Sequence, residues 1–505
     1  MLASDVNLML ERLEKAVHSG NITEVVPEDL EAEAHNTLWE ETDPTELTLL
    51  KLLPSVPAYN IEHKFSKVTS YGHSRNSGFF SERSLPPETN FRASRVTVDI
   101  KLMGEIGPTF LLAALERTQR ALGTSGAQNI ERVALRRNVL KKKNVNLYFS
   151  DDRVTNNTLR FKGLLQQIEE GTDGTVGTAS PFGTHVIDME GDPLTVDTIR
   201  ERVAKGIQLF GRFTSLIMDP LARADLEASM DAAHRLNLPI AANPLLIGQN
   251  IGGIQTQGGT TYFETDNSLS TIYSRPQYST DVADGAPSTR PTVVVTAQAD
   301  NSSGDTVDSL FDAASAGNLF WVVTELVGEL EGLGTRYPAS TASFVAVAAG
   351  QEAKLVITPG NPLADSFKVY RGNEDDGAEA TDAWFIFEVA NDGGGAAVTV
   401  YDNNEWRPNT SCAFGLNIVS RSERAIHSGQ IGSYAAAAAN SAQFLKNNDV
   451  PGRNTVAVAE LGPSMGIMAL ASVLAQVDRP LIYSACAPEI RNPYQNVVFK
   501  NIGRR

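Results

Sequence analysis

Residues 91–103 read Phe-Arg-Ala-Ser-Arg-Val-Thr-Val-Asp-Ile-Lys-Leu-Met. Apolar side chains at Val96, Val98, Ile100 and Leu102 alternate with polar ones, the period-two pattern of a half-buried strand. Residues 61–71 read as a second strand, and the polar stretch between them carries Gly72, Gly78, Pro86 and Pro87. The two predict a long β-hairpin projecting from the body. A two-stranded ribbon is marginal alone, so this one needs a surface to lie on.

On the C-terminal side, Pro108 is expected to open a helix whose apolar face is Phe110, Leu111, Ala114, Leu115 and Leu122, interrupted at Gly123–Gly126. A second helix is expected from about Gln128 to Lys143, with Ile130, Val133, Ala134 and Leu140 inward. Together they reach about 50 Å at 1.5 Å per residue. The segment Arg132–Lys143 holds six basic residues. Arg132, Arg136, Arg137 and Lys141 are candidates for a basic face that docks an acidic neighbour or DNA. The same residues also read as a solvated face whose cations sit at a helix C-terminus, where the dipole favours them. Residues 195–210 predict a helix and Phe213–Met218 a short strand. Asp219-Pro220 then supplies an N-cap and a first-turn proline for a helix through Leu221, Leu226, Met230 and Ala233 to about Leu236. This alternation is α/β or α+β in character.

On the N-terminal side, residues 4–18 predict a short amphipathic helix, with Leu8, Leu10, Leu13 and Val17 near helical spacing. The stretch to about residue 58 is acidic and broken by Pro27, Pro44, Pro54 and Pro57, which reads as an extended arm.

Composition changes near residue 286. Seven short strands are expected in the next 125 residues or so: Thr292–Ala297, Leu319–Leu326, Ser343–Val347, Ala353–Thr358, Phe367–Tyr370, Trp384–Val389 and Val398–Tyr401. Gly, Asn, Asp and Pro turns space them, which predicts a β-sandwich of immunoglobulin or fibronectin type. Beyond it, 433–446 is Ala-rich and helical, and Pro463–Gln476 is expected to be a helix carrying Met465, Met468, Leu470, Val473 and Leu474. Leu481–Ala487 and Gln495–Ile502 read as apolar strands. The sandwich is thus an insertion into one continuing body.

Charge follows the same division. The chain has 505 residues and a net charge of −17. Residues 1–50 hold twelve Asp/Glu against Arg12 and Lys15, and residues 286–411 hold eighteen against six Lys/Arg. What is left is mildly basic. Such a chain has no general pull toward nucleic acid or anionic membrane. No apolar run is long enough for a transmembrane helix, and the N-terminus lacks the basic and apolar regions of a signal peptide. Cys412 and Cys486 have no CxxC spacing and read as two small buried hydrophobes in a reducing compartment.

Signatures of chemistry are scarce. His18, His35, His63, His73, His185, His234 and His427 are scattered, with no HExxH. No Walker A lysine and no GxSxG occurs. Glu374-Asp375-Asp376 and Asp402-Asn403-Asn404-Glu405 lack EF-hand spacing and read as surface turns. No enzyme, catalytic residue, metal or cofactor is expected, although a hydrolase using a carboxylate pair leaves no sequence signature. An arm, a ribbon, a long helix and an inserted module are all poor at burying themselves, and homo-oligomers solve this by lending each element to a neighbour.

The order of these elements resembles the major capsid protein of tailed bacteriophages, the Hong Kong 97-type fold, an α+β architecture. Leu52-Leu53-Pro54 leads into the strand Asn60–Tyr71. The stretch from Phe79-Phe80-Ser81-Glu82 to Met103 is similar to that family's E-loop, and Gly107–Lys143 to the spine helix of its P-domain. Residues 195–236 are similar to its A-domain, and the closing Gln495–Arg504 to its final strand. Trp321-Val322-Val323-Thr324, Phe367-Lys368-Val369-Tyr370-Arg371 and Val400-Tyr401-Asp402-Asn403-Asn404 resemble the immunoglobulin-like modules inserted in some shell proteins, the last loosely.

The resemblance implies an acidic N-terminal arm (1–58), an E-loop hairpin (59–106), a P-domain with spine helix (107–194) and an A-domain (195–285). It further implies an all-β immunoglobulin-like insert (286–411) and a return to the body with the C-terminal strand (412–505). Phe79, Phe80, Glu82, Arg83 and Phe91 would be the E-loop residues that touch the adjacent subunit. The subunit would assemble in the host cytoplasm as pentamers and hexamers into the icosahedral head of a virion. Its partners would be itself, the portal, scaffolding or decoration proteins, and packaged double-stranded DNA held without sequence specificity. Host-surface glycans would meet it through the insert, and membranes would not be partners. Some members of the family join a lysine to an asparagine. Lys64, Lys67, Asn492 and Asn496 lie in the corresponding regions, but no motif promotes the reaction and none is expected. The alternatives are an encapsulin-like compartment shell and a glycan-binding adhesin or tail component.

Overall fold

Alternating side chains place both faces of the central sheet in apolar cores. The computed structural model describes residues 47–70, 92–107, 109–110, 127–153, 159–170, 185–208, 213–230, 252–256, 259–282, 286–300, 309–328, 330–391, 395–418, 456–470, 477–491 and 495–504. The expected helices at 4–18 and 433–446 lie outside the described residues. These divide into two compact units. The smaller holds 105–107, 109–110, 127–138, 467–470 and 477–482; the larger holds the rest.

The larger unit is built on a six-stranded mixed sheet, ordered Val186–Asp188, Val497–Ile502, Ser411–Leu416, Ser215–Met218, Gly259–Thr265, Gly253–Thr256. Ser215–Met218 and Gly259–Thr265 run parallel, as do Val497–Ile502 and Val186–Asp188. Ile217, Phe414 and Val498 point into one core, with Leu49, Leu52, Tyr148 and Leu164. Their chain neighbours Leu216, Met218, Ala413 and Phe499 point into a second, with Ile199, Val203, Ala222 and Leu226. A strand covered on both faces reads as an unbroken apolar run, which is why Ser-Leu-Ile-Met is buried at every position. The helices Val196–Gln208 and Pro220–Ser229 supply the second core. As expected, Asp219 caps the latter helix: its carboxylate accepts from the N–H groups of Leu221 and Ala222, with Pro220 in the first turn. That helix ends at Ser229, and 231–236 lie outside the described residues. Also in this unit, Ser55–Ala58 runs parallel to Val456–Leu461, which pairs antiparallel with the last part of the long strand Val477–Ile490.

All seven strands expected in the insert are present, joined by Leu330–Glu331 and Thr335–Tyr337. They form two sheets. Thr292–Ala299, Gln351–Thr358 and Val398–Asp402 make one. The other is centred on Gly317–Val327, Ser366–Asn373 and Trp384–Ala390. Val293, Val295, Leu355 and Ile357 of the first share a core with Trp321, Val323, Phe367, Val369 and Ile386 of the second. The module is a β-sandwich by geometry. Its packing begins before residue 286, however. Gln277 bridges to Trp384, Tyr278 donates its N–H to Ala383 O, and Gly334 N–H donates to Tyr278 Oη at 2.9 Å.

In the smaller unit, Val477 and Asp478 pair with Phe110 and Thr109. Phe110 was expected in a helix opened by Pro108; that pairing makes Thr109–Phe110 a strand instead. The helix Ala127–Phe149 is real and runs six residues past Lys143, so its basic cluster is mid-helix and not at the C-terminus. The helix expected at Pro463–Gln476 is not formed: Gly466–Leu470 is a strand beside Val477–Ile490, with 471–476 outside the described residues. Gly466 lies against the Tyr483 ring, where an added Cβ would come within 2.5 Å, so cross-strand packing overrides the helical spacing of the methionines.

Candidate functional site

The predicted hairpin forms its own two-stranded sheet, Glu62–Ser70 against Arg92–Asp99, in continuous register from Glu62↔Asp99 to Val68↔Ala93, with a shift before Ser70↔Arg92. Among the described strands, neither pairs with any other. Among its described side chains, burial is confined to the root. Val98 and Ile100 enter the first core and Phe65 packs against it. Ile100 N–H donates to Ile61 O at 2.8 Å. His63 Nε2 lies 3.0 Å from Glu489 Oε2, and the Glu489 side chain is fully buried. The other oxygen of that carboxylate accepts from Arg491 Nη2 at 2.9 Å and Nε at 3.1 Å. Apolar packing and the His63–Glu489 contact therefore hold the root, while Tyr59, Ile61 and Leu102 beside it are 92%, 64% and 73% exposed.

Phe79, Phe80, Glu82, Arg83 and Phe91 lie outside the described residues. Arg132 belongs to the long helix, with its side chain outside the described set. Arg136 is exposed and Arg137 half-buried, and Lys141 Nζ sits 5.1 Å from the centre of the Tyr273 ring. At about 100° per residue, Arg132, Arg136, Arg137 and Lys141 span roughly half of the helix circumference.

Sequence reasoning missed three side chains on this helix, Lys143, Asn144 and Tyr148, that tie it to the rest of the unit. Lys143 is fully buried, 2.7 Å from Glu460 Oε1 and 3.1 Å from Ser484 Oγ. Asn144 and Tyr148 both donate to the buried Asp266 carboxylate, which also accepts Leu49 N–H at 3.0 Å and Ser268 N–H at 2.9 Å. Thr48 Oγ1 donates to Thr265 O at 2.6 Å. The short helix Thr48–Leu52 is thereby stapled to the body of its own chain. Burial, and then the Asp266 charge, pushes the Tyr148 hydroxyl well above its usual range, so it stays a donor.

The Asp402–Glu405 turn, expected at the surface, is mostly internal. Asp402 accepts from Arg371 Nη1 and, at 2.9 Å, from Trp321 Nε1, while Asn404 accepts from Arg371 Nη2. Glu405 alone is exposed, and Lys500 Nζ meets it at 3.1 Å. Where sandwich meets body, the Arg275 guanidinium lies 3.5 Å from the Trp406 ring centre and 5.5 Å from that of Phe385. Burial lowers the Arg275 pKa to about 10. Glu374, Asp375 and Asp376 are an exposed turn, as expected. Cys412 and Cys486 are free and buried, and burial pushes the Cys412 thiol up to about 11. No cluster of three or more His, Cys, Asp or Glu side chains placed to hold a metal occurs among the described residues. No helix among them is long and apolar enough to cross a membrane.

No protein-family model matches the sequence, and no curated protein matches it. Several solved structures are similar over most of their length. The capsid of an empty GTA particle is 9% identical with a TM-score of 0.41, covering 96% of this chain and 98% of that one. A structure of Gordonia phage Cozz is 9% identical with a TM-score of 0.38, covering 95% and 93%. The holo-SrpI encapsulin complex from Synechococcus elongatus PCC 7942 is 7% identical with a TM-score of 0.36, covering 93% and 92%.

Proposed function

We propose that this chain is a shell subunit, the major capsid protein of a tailed bacteriophage, which assembles through pentamers and hexamers into an icosahedral head. One observation carries the reading. The hairpin Glu62–Ser70/Arg92–Asp99 is held firmly at its root, pairs with no other described strand, and has three large apolar side chains exposed beside it. A ribbon of this kind is marginal in water and becomes stable when it lies on a neighbour. Further support comes from the order hairpin, long helix, mixed sheet with covering helices, and closing strand, which follows the Hong Kong 97-type plan.

On this reading the boundaries are an arm (1–58), an E-loop (59–106), a P-domain (107–194), an A-domain (195–285), an immunoglobulin-like insert (286–411) and a return (412–505). Phe79, Phe80, Glu82, Arg83 and Phe91 reach the adjacent subunit. Arg132, Arg136, Arg137 and Lys141 receive an acidic neighbour. Double-stranded DNA is confined without sequence readout, which an acidic subunit suits because strong adhesion would hinder packing. The insert stands outward, where a decoration protein or host-surface glycan meets it.

Negative-stain electron microscopy with sedimentation velocity tests the class. Closed shells tens of nanometres across, or capsomers, are the expected result, and co-purified DNA as opposed to an enclosed enzyme separates a phage head from an encapsulin-like compartment. A folded monomer that never assembles, even with a scaffold supplied, would overturn the reading in favour of an adhesin or tail component.

A further inference from the structure

In the insert, the paired strands Ser366–Asn373 and Trp384–Ala390 are joined through the turn Asn373-Glu374-Asp375-Asp376-Gly377. Asp376-Gly377 is the one Asp-Gly or Asn-Gly pair among the described residues. The fold fixes glycine there. Its φ is +142°, and an added Cβ would run into Asp382 Oδ2. Asp376 is exposed, and its carboxylate makes no ion pair or hydrogen bond among the described residues. The backbone donors of the turn are used unevenly. Asp375 N–H donates to Asn373 Oδ1, and Asp376 N–H donates to Asn373 O at 3.2 Å. Gly377 N–H has no acceptor among the described residues. A carboxyl group and the amide that follows it are thus both unengaged, and no side chain on the second residue crowds the nitrogen.

We propose that Asp376 is a modification site, at which the folded chain converts aspartate to isoaspartate without an enzyme. The Gly377 nitrogen attacks Cγ of the protonated Asp376 carboxyl. A C–N bond forms, the C–OH bond breaks, and the hydroxyl leaves with the amide proton as water. The product is a succinimide ring. Water then opens it. Attack at Cγ restores aspartate, whereas attack at the backbone carbonyl carbon leaves the main chain running through Cβ. Water is released in the first step and consumed in the second, so no further reactant is needed. Two neighbouring acids supply the contrast. Asp375 is followed by an N–H already bonded to Asn373 O. Asp382 accepts Glu379 N–H at 2.9 Å, and the N–H that follows it, on Ala383, donates to Ala380 O at 3.2 Å. Each conversion lengthens the turn by one backbone carbon, keeps its charge, and moves Gly377 from its place against Asp382. The inference goes beyond the shell reading and does not depend on it.

The test ages the full, folded chain for weeks at physiological temperature in mildly acidic buffer, beside the same chain held unfolded in urea. Isoaspartate is located by electron-transfer fragmentation of its peptides, which distinguishes a main chain running through Cβ. Isoaspartate at Asp376 is expected to exceed that at Asp375 and Asp382 severalfold in the folded chain, and to accumulate there at a rate close to that in urea. Levels at Asp376 no higher than at those two acids overturn the proposal. So does a folded chain in which Asp376 converts far more slowly than in urea, because the fold then shields the pair. A second measurement uses Asp376→Glu, whose longer side chain keeps the charge and closes no succinimide. With an isoaspartyl methyltransferase and labelled S-adenosylmethionine as the probe, the aged variant is expected to take up less methyl label than aged wild type. Equal uptake by the two overturns the assignment to Asp376.

Discussion

Lys143 Nζ and Glu460 Oε1 are 2.7 Å apart in a site where the lysine side chain is 1% exposed. Ser55 Oγ donates to Glu460 Oε2 at 2.6 Å and Ser464 Oγ to Oε1 at 2.9 Å, so the carboxylate has a full set of donors. Removing one member of such a pair strands the other, and Glu460→Ala is expected to cost about 3–5 kcal/mol in denaturant unfolding. Lys143→Met combined with Glu460→Leu is expected to recover most of that loss, because no charge is then left buried. A double variant as unstable as Glu460→Ala alone would show that packing, not charge, governs the site.

The same pair predicts an acid limit. Burial by itself would raise the Glu460 carboxyl, but hydrogen bonds from Lys143 and Ser55 and the lysine charge outweigh it and hold the group below its ordinary value of 4.5. A depressed carboxyl contributes stability above its unfolded value and loses it as pH falls through the folded one. Wild type is therefore expected to lose stability below about pH 4.5 more steeply than the Lys143→Met, Glu460→Leu variant, as read from melting temperatures across pH 3–6. Parallel curves would remove Glu460 from the acid transition.

Asp266 gathers Leu49, Asn144, Tyr148 and Ser268 into one buried acceptor. Asp266→Ala leaves several donors unsatisfied, each worth about 1–3 kcal/mol. The expected result is a loss of at least about 3 kcal/mol and faster hydrogen exchange at Thr48–Leu52. Global destabilisation with exchange at Thr48–Leu52 unchanged relative to the rest would show that the short helix is held by its leucines alone.

Much of this architecture was legible because period-two and capping signals are local. The insert strands, the Ser215–Met218 strand and the Asp219-Pro220 cap fall where their side chains said they should. The failures involve partners far along the chain. Lys143 read as one of six surface cations because Glu460 lies 317 residues away. Asp402-Asn403-Asn404 has the composition of an exposed turn, and partners far along the chain, Arg371 and Trp321 on other strands, make it internal. Met465–Leu470 carried helical spacing, and pairing with the long strand overrode it. Of the hairpin, the strands were readable, whereas the buried Glu489 that meets His63 had no signal in its neighbours.

Arg275 predicts how independent the sandwich is. Its guanidinium lies between Trp406 and Phe385 and donates to Ile386 O. A desolvated cation–π contact is worth about 2 kcal/mol. Arg275→Ala is expected to split thermal unfolding into two transitions, as the sandwich, with its own core, melts apart from the body. A single transition shifted down as a whole would mean that Tyr278 and Trp406 suffice to couple them.

The root of the hairpin should be separable from the stability of the fold. Among the described hairpin side chains, His63 lies against the Glu489 carboxylate, and Arg491 still meets the Oε1 of that acid when the imidazole is removed. His63→Ala therefore strands no buried charge, and a global loss below about 1 kcal/mol is expected. The hairpin loses one tie, and among the described side chains Val98 and Ile100 remain in the core with Phe65 packed against it. Local opening costs less than global unfolding wherever few buried contacts hold an element. Hydrogen exchange in Glu62–Ser70 and Arg92–Asp99 is expected to quicken about tenfold in the free subunit, a change of about 1.4 kcal/mol in opening. Exchange that quickens equally across the six-stranded sheet would show instead that hairpin and body open as one unit.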